Sequence, residues 1–323
     1  MEIKRALLKD FYNGLDERSR TALDSAVSKV VETKKRTGKV TVVTGSGPNL
    51  HEGVTTLIAE LMDKGIVDGV TTSSAVINHE MGGALDRVKM CDAAQFGLER
   101  SKMPRGNVFE FTDLSEEEKD ILRKEMLLDE DLLSKGKSAE GRMVIKAAGN
   151  MAYPMGLRTE KIAEEILTLS RLSGLPFETI AGWGCDRRTM LGMGAEKGLP
   201  VLVTIPQMVG GGHVGLAVGD SIPVAERSKR IADMLGKSDV IIESAVALTQ
   251  EIHDGPFETY TGHGIWSWWQ GQPVYSLEKK TLIRFDLDEN LRLAQDLQKE
   301  SSMIQEAIDK GLPKTKISKI PFR

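Results

Sequence analysis

The stretch from Lys39 to Ala75 constrains the fold most tightly. The apolar run KVTVVT leads into a glycine-rich loop, TGSGPN (44–49). HEGVTTLIAELMDKG follows with apolar positions at helical spacing, and Gly65 is placed to stop that helix. A second β-rich run, IVDGVTTSSA, comes next. Strand, loop, helix and strand in that order predict a parallel pair, because parallel strands need a long crossover that a helix supplies.

Two more apolar, β-rich runs, LPVLVTIPQ (199–207) and DVIIESAVAL (239–248), are each preceded by a helical stretch. TEKIAEEILTLSRLSG reads as a helix stopped by Gly174, and ENLRLAQDLQKESSMIQEAIDKG as a polar C-terminal helix. The expected fold is α/β, a doubly wound, mostly parallel Rossmann-like sheet. It would carry a helical N-terminal extension over 1–37 and a single domain over 38–323. The strongly charged segment 113–142 is expected as a solvated helix or lid. Ser115 would cap it, with an acidic first turn that suits the helix dipole.

Composition excludes several classes. A net charge of −4 offers no basic surplus for nucleic acid. No run of 18 apolar residues exists to span a membrane, and the N-terminus lacks a charged-then-apolar leader. The only cysteines, Cys91 and Cys185, lie far apart and fit a reducing, cytoplasmic setting without a disulfide.

In open α/β sheets ligands collect at the carboxyl ends of the strands, and the polar residues of this chain cluster there. TGSGPN could offer backbone N–H groups at a helix N-terminus to a phosphate, which makes Gly45, Gly47 and Asn49 binding candidates. It is not GxGxxG, and a plain tight turn is the alternative. Thr71, Thr72, Ser73 and Ser74 close the second strand with four hydroxyls that could bond a ribose or phosphate; Ser73 or Ser74 would also cap the next helix. Asn78, His79 and Glu80 follow.

The glycines of GGGHVG (210–215) permit close backbone approach or form a loop, with His213 beside them. TQEIHDG (249–255) brings Gln250, Glu251, His253 and Asp254 together. TGHGIWSWWQG (261–271) concentrates Trp266, Trp268 and Trp269 between His263 and Gln270, three of the chain's four tryptophans. Such a cluster makes a satellite core or a pocket wall, and indole faces attract cations. All five histidines fall in or beside these loops, but no HxH, HExxH or CxxC spacing appears, so no metal is assigned.

The order of these pieces resembles the deoxyhypusine synthase family. Pro48-Asn49-Leu50 and then MDKGIVDGVTT are similar to its Ser-Asn-Leu and Met-Val-Asp segments. Thr71-Thr72-Ser73-Ser74-Ala75 stands where the family has Thr-Thr-Ala-Gly-Gly. Arg105-Gly106-Asn107-Val108 resembles Arg-Ile-Gly-Asn-Leu. Thr249-Gln250-Glu251-Ile252-His253-Asp254-Gly255 resembles Ala-Gln-Glu-Phe-Asp-Gly with one insertion, and Ser267-Trp268-Trp269-Gln270 resembles Ser-Trp-Gly-Lys. The likeness is a chain of short motifs over roughly residues 40–285.

It implies an NAD-binding fold, a homotetramer with shared sites, and NAD-dependent dehydrogenation of a polyamine through an imine on a lysine. Asn49, Thr71, Thr72 and Ser73 would lie along the NAD, Asp254 near its nicotinamide end, and Trp268 on the polyamine channel. The departures are large. The imine-forming lysine falls on Gln270, which cannot form a Schiff base. Family glutamates fall on Ile77 and Asn78, with His79 and Glu80 adjacent, and an acidic position falls near Met208.

The expected function is therefore NAD-dependent dehydrogenation or group transfer on a small amine or related metabolite, and not hypusine formation. His263, His213 and His253 are the candidate bases, Glu251 or Glu80 orients one of them, and Trp266, Trp268, Trp269, Gln270 and Glu80 line the substrate. The alternatives are a metal-dependent hydrolase built on His213, His253, His263 and Asp254, and a non-catalytic nucleotide-binding protein.

Overall fold

The computed structural model describes residues 5–44, 54–83, 85–99, 101, 107–144, 152–204, 211–244 and 280–285. Two helices come first, α1 (Arg5–Gly14) and α2 (Glu17–Lys35). The acidic Asp16–Glu17 start and Lys34–Lys35 end of α2 complement its dipole, and Asp16 accepts the Ser19 N–H at 2.7 Å as N-cap.

The main sheet contains β1 (Val40–Val43), β2 (Gly69–Thr72), β7 (Val201–Val203), β8 (Val240–Ser244) and β9 (Thr281–Phe285). Its order is β7-β2-β1-β8-β9, and every pairing is parallel. In chain order that is 3-2-1-4-5, the doubly wound Rossmann order, and the direction of winding reverses between β1 and β8.

Strand burial explains why these segments read as apolar runs. Val42, Val70, Val201 and Val203 face α3 (Thr55–Asp63), α4 (Ser74–Met81), α8 (Phe177–Gly182), α9 (Met190–Lys197) and α10 (Gly212–Ser221) in the largest core. On the other sheet face, Val43, Leu202 and Ile241 pack against Ile231, Ala232 and Leu235 of α11 (Val224–Gly236). Helices on both faces leave no alternation with water, as parallel sheets require.

The edge strand β7 has its open side covered. Val203 donates its N–H to Glu178 Oε1 (2.9 Å), and its carbonyl accepts from Arg227 Nη1 (3.1 Å). Glu178 and Arg227 also pair with each other at 2.5 Å, and neither is more than 1% exposed. Among the described residues no strand lies beyond β7, and a charged pair covers that side instead.

A second sheet, ordered β5-β3-β4-β6, is not apparent in the sequence. It comprises β3 (Val88–Asp92), β4 (Val108–Thr112), β5 (Gly141–Val144) and β6 (Ala152–Tyr153). β3 pairs antiparallel with β4 and β5, while β4 and β6 are parallel. The charged segment expected as one solvated helix or lid is two helices, α5 (Glu116–Glu125) and α6 (Glu130–Ser138), with one face in a core. Leu122 and Leu133 pack with Phe111, Leu114 and Leu128. Ser115 and Glu118 form a reciprocal capping box at the start of α5. In α6 a Cβ on Gly136 would stand 2.1 Å from the Phe111 ring, so only glycine lets this helix close down.

α7 (Met155–Ser173) ends on Gly174 in the left-handed region (φ 68°), and Gly65 beyond α3 takes φ 68°. Among the described residues no helix is long and apolar enough to cross a membrane. The expected C-terminal helix lies outside the described residues.

Candidate functional site

Three neighbouring strands end in threonine. Val-Thr-Val-Val-Thr closes β1 at Thr44, Val-Thr-Thr closes β2 at Thr72, and Val-Leu-Val-Thr closes β7 at Thr204. The chain is pinned there by backbone bonds from Thr44 N–H to Thr71 O (2.9 Å) and from Thr204 N–H to Thr72 O (3.4 Å). Thr44, Thr71, Thr72 and Thr204 are 0% exposed, yet none of their hydroxyls has a hydrogen-bond partner among the described residues. A buried hydroxyl left alone costs about 1–3 kcal/mol. Four together at the carboxyl ends of one sheet indicate a place where polar atoms of something else belong.

Side chains alternate along a strand, so these hydroxyls fall on both faces. Thr71 is opposite Leu202 in the register and shares its face, toward α11; Thr204, two residues on from Leu202, lies on that side too. Thr72 is opposite Val203 and faces the larger core.

Two helices begin at the same edge. α4 starts directly after β2, and Ser73 Oγ accepts the Val76 N–H (3.3 Å) as its N-cap. α10 starts at Gly211, whose φ of +78° favours glycine. A Cβ there would meet the Ser74 carbonyl oxygen at 2.8 Å. The glycine brought forward as a possible ligand contact therefore lets α10 close on α4. Asn78 fixes that contact by donating Nδ2 to Gly211 O (2.7 Å) while its Oδ1 accepts from Thr159 (3.0 Å).

Glu80 is 1% exposed and points inward, to the N-terminus of α9. Its carboxylate accepts from Thr55 Oγ1 (2.5 Å) and the Leu191 N–H (2.8 Å), and Thr55 in turn accepts the Met190 N–H (3.1 Å). With Thr189 Oγ1 accepting from the Gly192 N–H (3.1 Å), three first-turn N–H groups of α9 are satisfied by side chains. Burial pushes the Glu80 carboxyl up to about 7, against the lowering effect of these bonds.

His213 lies in the first turn of α10, partly exposed, with Nε2 3.0 Å from Glu164 Oε1 of α7. Its backbone N–H donates to Glu160 Oε2 (3.1 Å). Glu243, at the end of β8 beside the reversal point, is 2% exposed and accepts from Arg284 Nε of β9. Lys280 sits at the opposite end of the sheet. Its ammonium caps the carbonyls of Gly236 (2.8 Å) and Ser238 (2.6 Å), and burial lowers its pKa.

Of the sequence-derived candidates, the structure brings Thr71, Thr72, Ser73 and Ser74 to one edge and places His213 and Glu80 on helices leading from it. Gly45, Gly47, Asn49, Glu251, His253, Asp254, His263, Trp266, Trp268, Trp269 and Gln270 lie outside the described residues. Sequence reasoning missed Thr204, although the repeated ending of apolar strands in threonine was there to be seen. Among the described residues no three histidine, cysteine or carboxylate side chains converge as a metal site would.

No family model matches the sequence, and no curated protein does. Among solved structures the chain is similar to AgrE in ternary complex with ornithine and NAD+, at 12% identity and a TM-score of 0.42, covering 90% of this chain and 34% of that one. A mutant of AgrE in binary complex with L-arginine gives 11% and 0.41, covering 89% and 34%. A conserved LOR/SDH protein from Methanococcus maripaludis gives 9% and 0.39, covering 73% and 55%. The chain thus spans about a third of the length of AgrE and little more than half of the archaeal protein. At these values the overlap assigns neither family nor ligand.

Proposed function

We propose that this chain is an NAD-binding enzyme of deoxyhypusine-synthase-like fold that dehydrogenates a small amine or related metabolite, with or without group transfer. The observation that carries the reading is the row of four buried threonine hydroxyls, without partners among the described residues, at the carboxyl ends of a parallel sheet in 3-2-1-4-5 order. That edge is where such a sheet receives a dinucleotide, and hydroxyls of this kind suit ribose and phosphate oxygens. Thr71, Thr72 and Ser73 would lie along the dinucleotide, with Gly45, Gly47, Asn49 and Asp254 completing its site.

Bound NAD would supply a hydride acceptor. The chain's own part is to position the amine and take its proton. Trp266, Trp268, Trp269 and Gln270 would form the substrate wall, suited to a cationic ligand. His213, His253 and His263 are the bases on offer, since histidine changes charge near neutrality. Glu164 would orient His213, as Glu251 would a neighbouring histidine. With Gln270 in place of the lysine, no covalent imine on the enzyme forms, so hypusine synthesis is not the reaction. Homotetramer assembly and a cytoplasmic location belong to the same reading.

The test begins with denaturing purified protein and resolving any released NAD by chromatography. Titration calorimetry on the stripped protein follows. Released or saturably bound NAD supports the proposal, and no binding at millimolar NAD refutes it.

A further inference from the structure

The unpartnered polar atoms extend beyond the threonines. On the α11 side of β2 and β7, Ser228 Oγ and Arg227 Nε also lack a partner among the described residues, and both residues are no more than 2% exposed. Arg227 is tied to the end of β7 through its bond to Val203 O, one residue before Thr204, and Ser228 follows it in the first turns of α11. Its two terminal nitrogens are committed to Glu178, Val203, Val218 and Ser221, which leaves Nε–H as the free donor. The hydroxyls of Thr71, Thr204 and Ser228 and this N–H therefore border the ends of the same two strands.

The segments that follow these two strands carry no carboxylate, and Glu178, beside the end of β7, is taken up by Arg227 and the Val203 N–H. Residues 71–79 after β2 and 204–219 after β7 contain no aspartate or glutamate, and Glu80 is occupied at α9. In dinucleotide folds an acidic residue near the end of the second strand holds the adenosine ribose diol and repels a phosphate on it. Here that position offers hydroxyls, with an arginine N–H nearby. Three rotatable O–H groups and one N–H can all donate, and a phosphoryl group accepts on every oxygen.

We propose that this end of the sheet receives a phosphorylated adenosine ribose, so that the chain binds NADP at least as tightly as NAD; the proposal rests on the dinucleotide reading above. Thr71, Thr204 and Ser228 are then specificity-determining residues for the 2′-phosphate.

The experiment is calorimetry with NAD and with NADP on the wild type, Thr204→Val and Ser228→Ala. Circular dichroism and thermal melts establish that each variant is folded, which is expected because the hydroxyls removed have no partner among the described residues. The expected result is an NADP Kd equal to or below that of NAD. Each substitution should weaken NADP about tenfold or more, as loss of one charge-assisted bond does, and NAD less than twofold. NAD binding with NADP tenfold or more weaker overturns the proposal and leaves the dinucleotide reading intact. NADP affinity unchanged in both variants also overturns it, since the hydroxyls then hold only solvent. Binding of neither nucleotide removes both readings.

Discussion

Glu80→Gln separates the electrostatic from the packing role of a buried carboxyl at the candidate site. The ionised group is stabilised by the Thr55 hydroxyl, the Leu191 N–H and the N-terminus of α9, and destabilised by complete removal from water. Burial dominates, raising the pKa from 4.5 to about 7. The folded chain therefore holds this proton more tightly than the unfolded chain. The associated stability is fully present below the unfolded value of 4.5 and is lost as pH rises through about 7. At about 1.4 kcal/mol per pKa unit, the loss across that window is on the order of 3 kcal/mol. Glutamine fills the same volume, keeps one acceptor and does not titrate. Urea denaturation of both proteins between pH 5 and pH 8, followed by far-ultraviolet circular dichroism, should show the variant less stable by about 1 kcal/mol at the acid end. The gap should close or reverse at the alkaline end. Parallel pH profiles would refute the assignment of a near-neutral titration to Glu80.

Other sites give further expectations. Arg227→Met leaves Glu178 as an uncompensated buried charge and uncovers the edge of β7, so it should cost about 3–5 kcal/mol by urea denaturation. The double substitution Glu178→Leu with Arg227→Met should recover part of that loss. Gly211→Ala forces both a positive φ and a clash with Ser74 O, and should lower stability by about 1–3 kcal/mol while weakening dinucleotide binding in calorimetry. Ser115→Ala removes one half of the capping box of α5 and should lower thermal stability by about 1 kcal/mol with no effect on ligand binding, because α5 belongs to the second sheet.

The sequence reveals the main sheet because parallel strands buried on both faces must be apolar along their length. KVTVVT, GVTT, PVLV and DVIIES all have that character, and threonine closes or follows the first three. It conceals the second sheet because β3, β4 and β5 are mixed in character. Lys89, Asp92 and Arg142 interrupt them, and their exposed positions dilute any two-residue period. Their stability comes instead from α5 and α6 folding over Phe111, a long-range contact that no local pattern announces. The site divides in the same way. Hydroxyls at strand ends can be read in one dimension, but what each one touches cannot. Glu80 and Asn78 look like ligand contacts by position, yet they turn inward to hold α9, α10 and α7.

That inward turn explains how the edge can carry so many unsatisfied groups. α4 begins directly after β2, and its side chains at 78 and 80 lock four neighbours, α3, α7, α9 and α10, into one scaffold. Arg227 and Glu178 do the same for β7 and α10. Among the described residues the side chains of α4 find their partners where the helices meet, whereas Thr44, Thr71, Thr72 and Thr204 at the strand ends do not. At about 1–3 kcal/mol each, four orphan hydroxyls amount to a substantial fraction of a domain's net stability. Threonine-to-valine changes at these positions should therefore stabilise the free protein while weakening dinucleotide binding. A melting temperature that rose together with affinity would show instead that the hydroxyls have no ligand to meet.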